Sequence, residues 1–515
     1  MNQTIRRKRG GRSANTRRTS SALAQLPWQI PTLLDRPTEP LTEDGVRAVD
    51  GAAMRILSEI GIDFLHPDAR AHLKAAGAMV EEGSERVRFD PGMVRELVAR
   101  APSEFTLTPR NPERRLPIGG RNQIYVNVSS PPNCSDLDRG RRPGDHASFR
   151  ELVKLVQSFE CLHLIGGYPV EPVDLHASTR HLDCIRDKLV LSDKVMHCYA
   201  LGVERVEDAM EMVRLAGGLS HEEFAATPRM YTNINSSSPL KHDWPMLDGA
   251  MRLAKRGQAV IVTPFTLAGA MAPVTLAGAV AQATAESLAA IVLLQHIRPG
   301  TPVVMGTFTS NVDMKSGAPA FGTPEYMRAT QMAGQMARFY GLPLRASNAC
   351  AANTPDAQAA WESAFSLWAC QSAGANIVYH AAGWLEGGLC ASYEKLVMDC
   401  ETLQQMIAYN RPPEIDEAAL AVDAVAEVGP DGHFFGVDHT QERYETAFYA
   451  PFLSDWRNFE TWQETGAVQT PERANKIWKT MLENYEAPPM EADALAALDD
   501  FVERRRAEGG APTDF

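Results

Sequence analysis

Between Phe265 and Glu386 the chain sets out a small group of residues whose types suit one kind of chemistry. Three rings, Phe265, Phe308 and Trp384, each stand just past a run of strand-forming residues, with Tyr231 and Tyr168 behind them. Ring faces attract a cation that carries no hydrogen-bond donor of its own, so Phe265, Phe308, Trp384 and Tyr231 are expected to bind substrate. His380 and Glu386 flank Trp384 and form the expected catalytic pair. His380 would read a substrate carboxylate or face the second reactant, and Glu386 would complement the cation. Asn233 and Asn235 occupy alternating positions of one run and are expected to aim their amides into the same mouth.

Other chemistries fit this inventory less well. A Schiff-base enzyme needs a lysine at a strand end, yet Lys241 and Lys315 lie several residues into loops. A zinc site needs converging Cys and His ligands, whereas His197 and Cys198 are neighbours on one strand and should point to opposite faces. Cys350 and His380 make two ligands at most, so no metal site is expected. The Gly387-Gly388 pair lacks the basic neighbours of a phosphate cradle.

The elements that must position these residues repeat. Apolar runs of strand type stand at Ile124–Val128, Leu162–Ile165, Val195–Tyr199, Met230–Ile234, Ala259–Val262, Val303–Met305, Leu344–Ala346 and Ile377–Tyr379. Each is followed by a polar or glycine-bearing loop and a helical pattern, near 147–159, 177–189, 204–216, 245–256, 275–297, 324–340, 356–373 and 390–407. Eight such alternations predict an α/β fold, a (β/α)8 TIM-type barrel whose functional loops follow the strands. An open doubly wound sheet would call for an early GxGxxG and a later acid, and neither is convincing.

Four regions follow from these boundaries: a disordered basic arm (1–40), an N-terminal α+β region (41–120), the barrel (121–410) and a C-terminal helical extension (411–515). The arm is read from its front, where Arg6, Arg7, Lys8, Arg9, Arg12, Arg17 and Arg18 crowd together with no acid before Asp35, a composition that favours solvation over folding. In the N-terminal region Thr42 should cap a helix to about Gly61, a second helix should follow Pro67, a strand should lie near Val87 and Phe89, and Pro91 should open a third helix. Phe105 to Thr108 alternates as a strand. In the extension, helices are predicted at Asp416–Val428, Glu445–Ala450, Pro471–Asn484 and Ala492–Arg506. Such an extension suits packing beside the barrel or between subunits, so a homo-oligomer is expected.

The formal net charge of −13 argues against a general nucleic-acid binder. No stretch of eighteen uninterrupted apolar residues is present, so no membrane span is expected. Eight cysteines without a CxxC pair fit reduced thiols and a cytoplasmic location.

Ile377-Val-Tyr-His-Ala-Ala-Gly-Trp-Leu-Glu-Gly-Gly-Leu389, with Ser392-Tyr-Glu-Lys behind it, Pro355-Asp-Ala-Gln-Ala ahead of it and Phe265-Thr-Leu-Ala-Gly-Ala upstream, resembles the trimethylamine methyltransferase (MttB) family. The basic leader and Ile60-Gly-Ile-Asp-Phe64 resemble it too. The resemblance implies a barrel enzyme that moves a methyl group from a methylated amine to the cobalt of a separate corrinoid protein. No cofactor would be permanently bound, since the partner supplies the corrinoid. Family members that use trimethylamine carry pyrrolysine, and every residue here is standard. The chain is therefore similar to the non-pyrrolysine branch that includes glycine betaine methyltransferases, which implies a quaternary amine as substrate. Two alternatives remain: a barrel lyase or isomerase acting on a small polar metabolite, and a non-catalytic quaternary-amine binding protein.

Overall fold

The computed structural model describes residues 23–513. Its centre is an eight-stranded parallel sheet formed by Ile124–Asn127 (β1), Leu164–Ile165 (β2), Val195–Met196 (β3), Tyr231–Ile234 (β4), Ala259–Val262 (β5), Val303–Gly306 (β6), Leu344–Ser347 (β7) and Ile377–Ala382 (β8). The hydrogen-bonded order is β3-β2-β1-β8-β7-β6-β5-β4, and a parallel bridge from His197 to Tyr231 links the two ends into a nearly closed barrel. The helices His146–Ser158 (α1), Arg180–Leu191 (α2), Val203–Ala216 (α3), Trp244–Lys255 (α4), Leu276–Ile297 (α5), Pro324–Phe339 (α6), Ala357–Ala373 (α7) and Tyr393–Tyr409 (α8) follow the strands in turn. Each of the eight predicted alternations is therefore present.

Local chemistry explains where the helices begin. The side chains of Asp145, Asp243, Thr323, Asp356 and Ser392 each accept the backbone N–H three residues on, in the first turn of the helix. They satisfy donors that a helix start leaves unpaired. Proline stands in the first turn of α4 and α6, where its missing N–H costs nothing.

The N-terminal region consists of the helices Glu43–Arg55, Pro67–Ala75 and Pro91–Val98 and a small sheet of Met79–Val80, Arg86–Arg88, Ile62–Phe64 and Lys241–His242. Its helices pack on the outer face of α5. That cover explains why α5 is apolar all round: it is the one helix among the described residues long and apolar enough to cross a membrane, yet most of it is buried inside the protein. Lys241–His242 belongs to the loop after β4, so this region also braces one wall of the barrel mouth.

The opposite end of the barrel is closed by a plug. The hairpin Glu104–Leu107 with Leu116–Gly119 inserts Leu107, Leu116 and Ile118 beneath the inward side chains of β1 to β8. Trp28 and Ile30 pack against the same cluster. Here the structure corrects the reading of residues 1–40 as a disordered arm: positions 1–22 lie outside the described residues, but 23–40 form a strap across the barrel floor. Gln25 Nε2 donates to Ser158 O at 2.8 Å, Leu26 N–H to Gln404 Oε1 at 2.7 Å, and Thr38 N–H to Ser372 O at 2.7 Å. The Trp28 ring lies 4.9 Å from His163, with the Arg114 guanidinium 4.4 Å from its centroid. Charge density at the front of the chain masked the apolar run Leu23 to Leu34, which has surface enough to bury.

Beyond the barrel, Thr470–Glu483 packs on α8 and α1, and Ala492–Ala507 on α2 and α3. The predicted helix at Glu445–Ala450 is instead a turn. It lies on a protruding stretch where Phe448 is 86% exposed, so no apolar surface rewards a helical face there. The same stretch exposes Ile415, Phe435 and Trp456, and the outer face of α7 exposes Trp361, Phe365 and Trp368.

Candidate functional site

A cavity of about 520 Å³ opens at the carboxyl ends of the barrel strands. One wall is aromatic. Phe265 and Phe308 lie 5.1 Å apart between centroids, Phe308 and Trp384 5.9 Å, and Trp384 and His380 4.3 Å. The Trp384 indole N–H donates to Cys350 O at 2.9 Å, which fixes the ring's tilt. Phe321 backs this wall, 5.5 Å from Phe308.

The amide wall comes from β4 and β5. Asn233 Nδ2 donates to Asn235 Oδ1 at 3.1 Å, Asn235 Nδ2 to Thr263 O at 2.8 Å, and Thr263 Oγ1 to Asn233 Oδ1 at 2.7 Å. The loop that follows is held from α5 by buried Glu286, which accepts the Ser238 hydroxyl at 2.6 Å, the Leu240 N–H at 2.9 Å and the Ser236 hydroxyl. The site is thus fixed before any ligand enters.

Arg345 stands in the middle of β7 and reaches the cavity with its guanidinium fully enclosed. Nη1 donates to Thr307 O at 3.3 Å, Nε has no partner, and the group forms no ion pair among the described residues. The Tyr379 ring lies 4.7 Å and the Phe308 ring 5.8 Å from the guanidinium carbon. Burial lowers its proton affinity, but a guanidinium keeps its charge in a protein. A buried charge with no counter-ion costs several kcal/mol.

His380 sits at a break in β8. The strand shifts register between Val378 and Ala382, and His380 takes φ of 53°, a left-handed conformation that a non-glycine residue adopts only under tertiary constraint. Its Nδ1 accepts the Ser129 N–H at 3.2 Å, so the neutral ring carries its hydrogen on Nε2. Nε2 in turn lies 3.5 Å from Arg345 Nη2, itself a donor. Two donors therefore meet with no acceptor between them. Burial, then Arg345 and His197, hold His380 well below the usual histidine range, so it stays neutral near pH 7.

Of the eight site residues expected from the sequence, six line the cavity: Phe265, Phe308, Trp384, His380, Asn233 and Asn235. Two do not. Tyr231 lies beneath the floor, its hydroxyl donating to Ile165 O at 3.1 Å and pairing with Tyr379 at 2.9 Å. Glu386 is drawn to the rim by Arg141 Nε, at 2.8 and 3.0 Å from its two oxygens. That pair ties the Gly140–Pro143 strand to the loop after β8 and holds the carboxylate outside the cavity lining. Tyr168, placed behind the rings, faces an adjoining cavity beyond Tyr199. His197 turns into the barrel, where its Nε2 accepts the Asn233 N–H at 3.1 Å and its ring lines the mouth, while Cys198 borders only the adjoining cavity. No cluster of three His, Cys, Asp or Glu suited to a metal ion occurs among the described residues.

Sequence reading missed Arg345, Tyr379 and His197. A charge inside the run Leu344 to Ala346 was the available signal, since a barrel strand otherwise excludes it.

A family model described as trimethylamine methyltransferase (MTTB) matches residues 7–510. The chain is 36% identical over 471 residues to a glycine betaine methyltransferase of Desulfitobacterium hafniense (strain Y51), covering 91% of this chain and 98% of that one. It is 26% identical over 474 residues to a trimethylamine methyltransferase MttB of Desulfitobacterium hafniense (strain DSM 10664 / DCB-2), covering 91% and 94%. Among solved structures the fold matches the Methanosarcina barkeri monomethylamine methyltransferase (MtmB) with a TM-score of 0.50 at 10% identity, over 88% of this chain and 90% of that one.

Proposed function

This chain belongs to the trimethylamine methyltransferase family, and we propose that it demethylates a quaternary amine bearing a carboxylate, glycine betaine or a close relative, with the methyl group passing to the Co(I) of a corrinoid carried by a separate protein. The enzyme is a methyltransferase; substrate and acceptor are the inference. The observation that carries it is Arg345, a buried cation with no counter-ion in the same cavity as the ring wall. A bare cation would be repelled by that guanidinium. A betaine satisfies both halves, its carboxylate bridging Arg345 Nη2 and His380 Nε2–H and its trimethylammonium resting on Phe265, Phe308 and Trp384.

The volume of about 520 Å³ suits a small metabolite. In this reading the corrinoid approaches from outside on its own protein. When docked, Co(I) supplies the nucleophile. The chain's own residues orient one methyl outward, exclude water from the cation, and hold the carboxylate fixed. As the carbon–nitrogen bond breaks, its electron pair stays on nitrogen and the departing tertiary amine is neutral, so no acid is required. This agrees with a cavity whose histidine is held neutral and near which Glu386 is tied to Arg141 and Glu286 to the Ser236 and Ser238 hydroxyls. Trimethylamine, by contrast, would arrive protonated, without a carboxylate, and opposite Arg345.

We further place the enzyme in the cytoplasm, consistent with eight unpaired cysteines, and in a homo-oligomer whose contacts cover the exposed rings of α7 and of the 415–459 stretch. The test is to mix the enzyme with a reduced cognate corrinoid protein and follow the cobalt spectrum with glycine betaine, carnitine, choline, trimethylamine and dimethylamine. Turnover of carboxylated quaternary amines alone is expected. Turnover of trimethylamine would overturn the assignment, and binding without turnover, using a partner proven with another methyltransferase, would favour a binding protein.

A further inference from the structure

A separate cavity, of about 510 Å³, lies at the opposite end of the barrel between the floor hairpin, the carboxyl end of α3 and the segments leading into β3 and β4. Three arginines line it: Arg110 and Arg115 from the hairpin turn and Arg229 from the residue before Met230. No Asp or Glu lines it among the described residues. Their pairing is unusual for arginines brought so close. Arg114, beside Arg115, is engaged by Asp193 at 3.0 Å and Glu160 at 3.2 Å. Arg115 and Arg229 have no side-chain hydrogen bond or ion pair among the described residues, and Arg110 donates only to the carbonyls of Ser192 and Pro489. The Nε atoms of Arg110 and Arg229 and the hydroxyl of Thr227, all at this cavity, are buried without a partner.

Arg115 is exposed, while the buried Nε atoms of Arg110 and Arg229 and the Thr227 hydroxyl have no partner to offset their burial. Burial, then the neighbouring Arg115, lowers the proton affinity of Arg229, with Glu223 acting weakly in the other direction. Like charges held close repel, with Asp193 acting on Arg110 through space only, and each unmet buried donor forfeits a hydrogen bond. Fixed guanidinium forks, a hydroxyl and the absence of acids are what recognition of a tetrahedral oxyanion requires. The lining carries no aromatic ring, so a stacked base or an ammonium has nothing to rest on.

We propose that this cavity binds a phosphate-bearing small anion, held by Arg110, Arg115 and Arg229 with Thr227, at a site separate from the methyl-transfer mouth. The proposal does not depend on the substrate assigned above. Its location between the hairpin plug and the lead-in to β4 means that an occupant would tie the plug to the strand that carries Asn233.

Calorimetric titration and thermal unfolding of the full chain with inorganic phosphate, glycerol phosphate and a nucleoside diphosphate test it. Saturable binding that raises Tm is expected, weakened roughly tenfold by Arg229→Gln and again by Arg115→Gln, since charge-assisted bonds are each lost. Without ligand, both variants should unfold at the same temperature as the parent or higher, because a repulsion is relieved; arginines that serve only structure would lower it. Thr227→Val gives a milder version of the same loss if an arginine variant fails to fold. Inorganic phosphate binding as tightly as the esters would identify the free ion as occupant, and tighter ester binding an organic phosphate. Absence of saturable binding by all three anions, or affinities unchanged in the variants, would overturn the proposal.

Discussion

The two ends of the barrel each hold arginine that meets no carboxylate among the described residues, and what surrounds the charge differs. At the carboxyl ends of the strands a single guanidinium, Arg345, is stacked on Tyr379 and faces a wall of rings. At the amino ends three guanidiniums share a cavity with no ring and no acid. One positive charge beside ring faces suits a ligand carrying both signs; several without rings suit a ligand carrying only negative charge. The neighbours of an unpaired buried charge set the charge pattern of the ligand it suits.

The most severe way to break this contrast is Arg345→Met. It should reduce kcat/KM for glycine betaine about a hundredfold or more, in line with ~2–5 kcal/mol for truncating one partner of a buried charge pair. Binding of choline, which lacks the carboxylate, should not fall, and Tm of the unliganded protein should hold or rise because an uncompensated charge is gone. Phosphate binding at the far cavity should be untouched. A comparable loss for choline would mean that Arg345 supports the fold rather than the carboxylate.

The ring wall should give a smaller effect. Phe308→Ala or Trp384→Ala should weaken betaine binding by roughly 2- to 30-fold, from ~0.5–2 kcal/mol per cation–π contact. The neutral isostere 3,3-dimethylbutanoate should lose less, measured by calorimetry. Equal losses would reduce the rings to packing.

At the plugged end, Trp28→Ala should lower stability by about 1–2 kcal/mol in chemical denaturation, the cost of withdrawing a half-buried ring from the strap. KM should not move. A change in KM without loss of stability would show that the strap reaches the mouth.

The smallest effects are expected from acid–base chemistry. Glu386→Gln should alter kcat less than about threefold, since its carboxylate serves Arg141 at the rim. Betaine affinity should be flat between about pH 6.5 and 8, because His380 is held well below its ordinary value and burial pushes the Tyr379 phenol up to about 12. The stability sign follows from the same depression. His380 and His197 stay neutral in the folded state but take up protons near pH 6.5 when unfolded, so their contribution is complete above that value and lost as pH falls toward the folded values. A bell-shaped affinity profile near neutrality would require a titrating group that the cavity lacks.

Much of this was legible in the sequence wherever a short-range rule applied. The strand runs and their capped helices rest on periodicity and on contacts within a few residues, and each barrel element lies within a few residues of its expected place. The rings were legible for a related reason, since a residue just past a barrel strand reaches the mouth whatever its neighbours do. Glu386 fails because one partner, Arg141, is 245 positions away in the chain. The strap at 23–40 fails because its anchors, Ser158, Ser372 and Gln404, come from three separate helices.

The sequence by itself determined the barrel, its helical cover and a mouth rich in rings, because periodicity, caps and strand ends are local properties. Only the tertiary structure decided which charges are paired. Among the described residues Arg114 meets two carboxylates while Arg115, Arg229 and Arg345 meet none, and pairing over a few ångströms joins residues that the chain holds far apart.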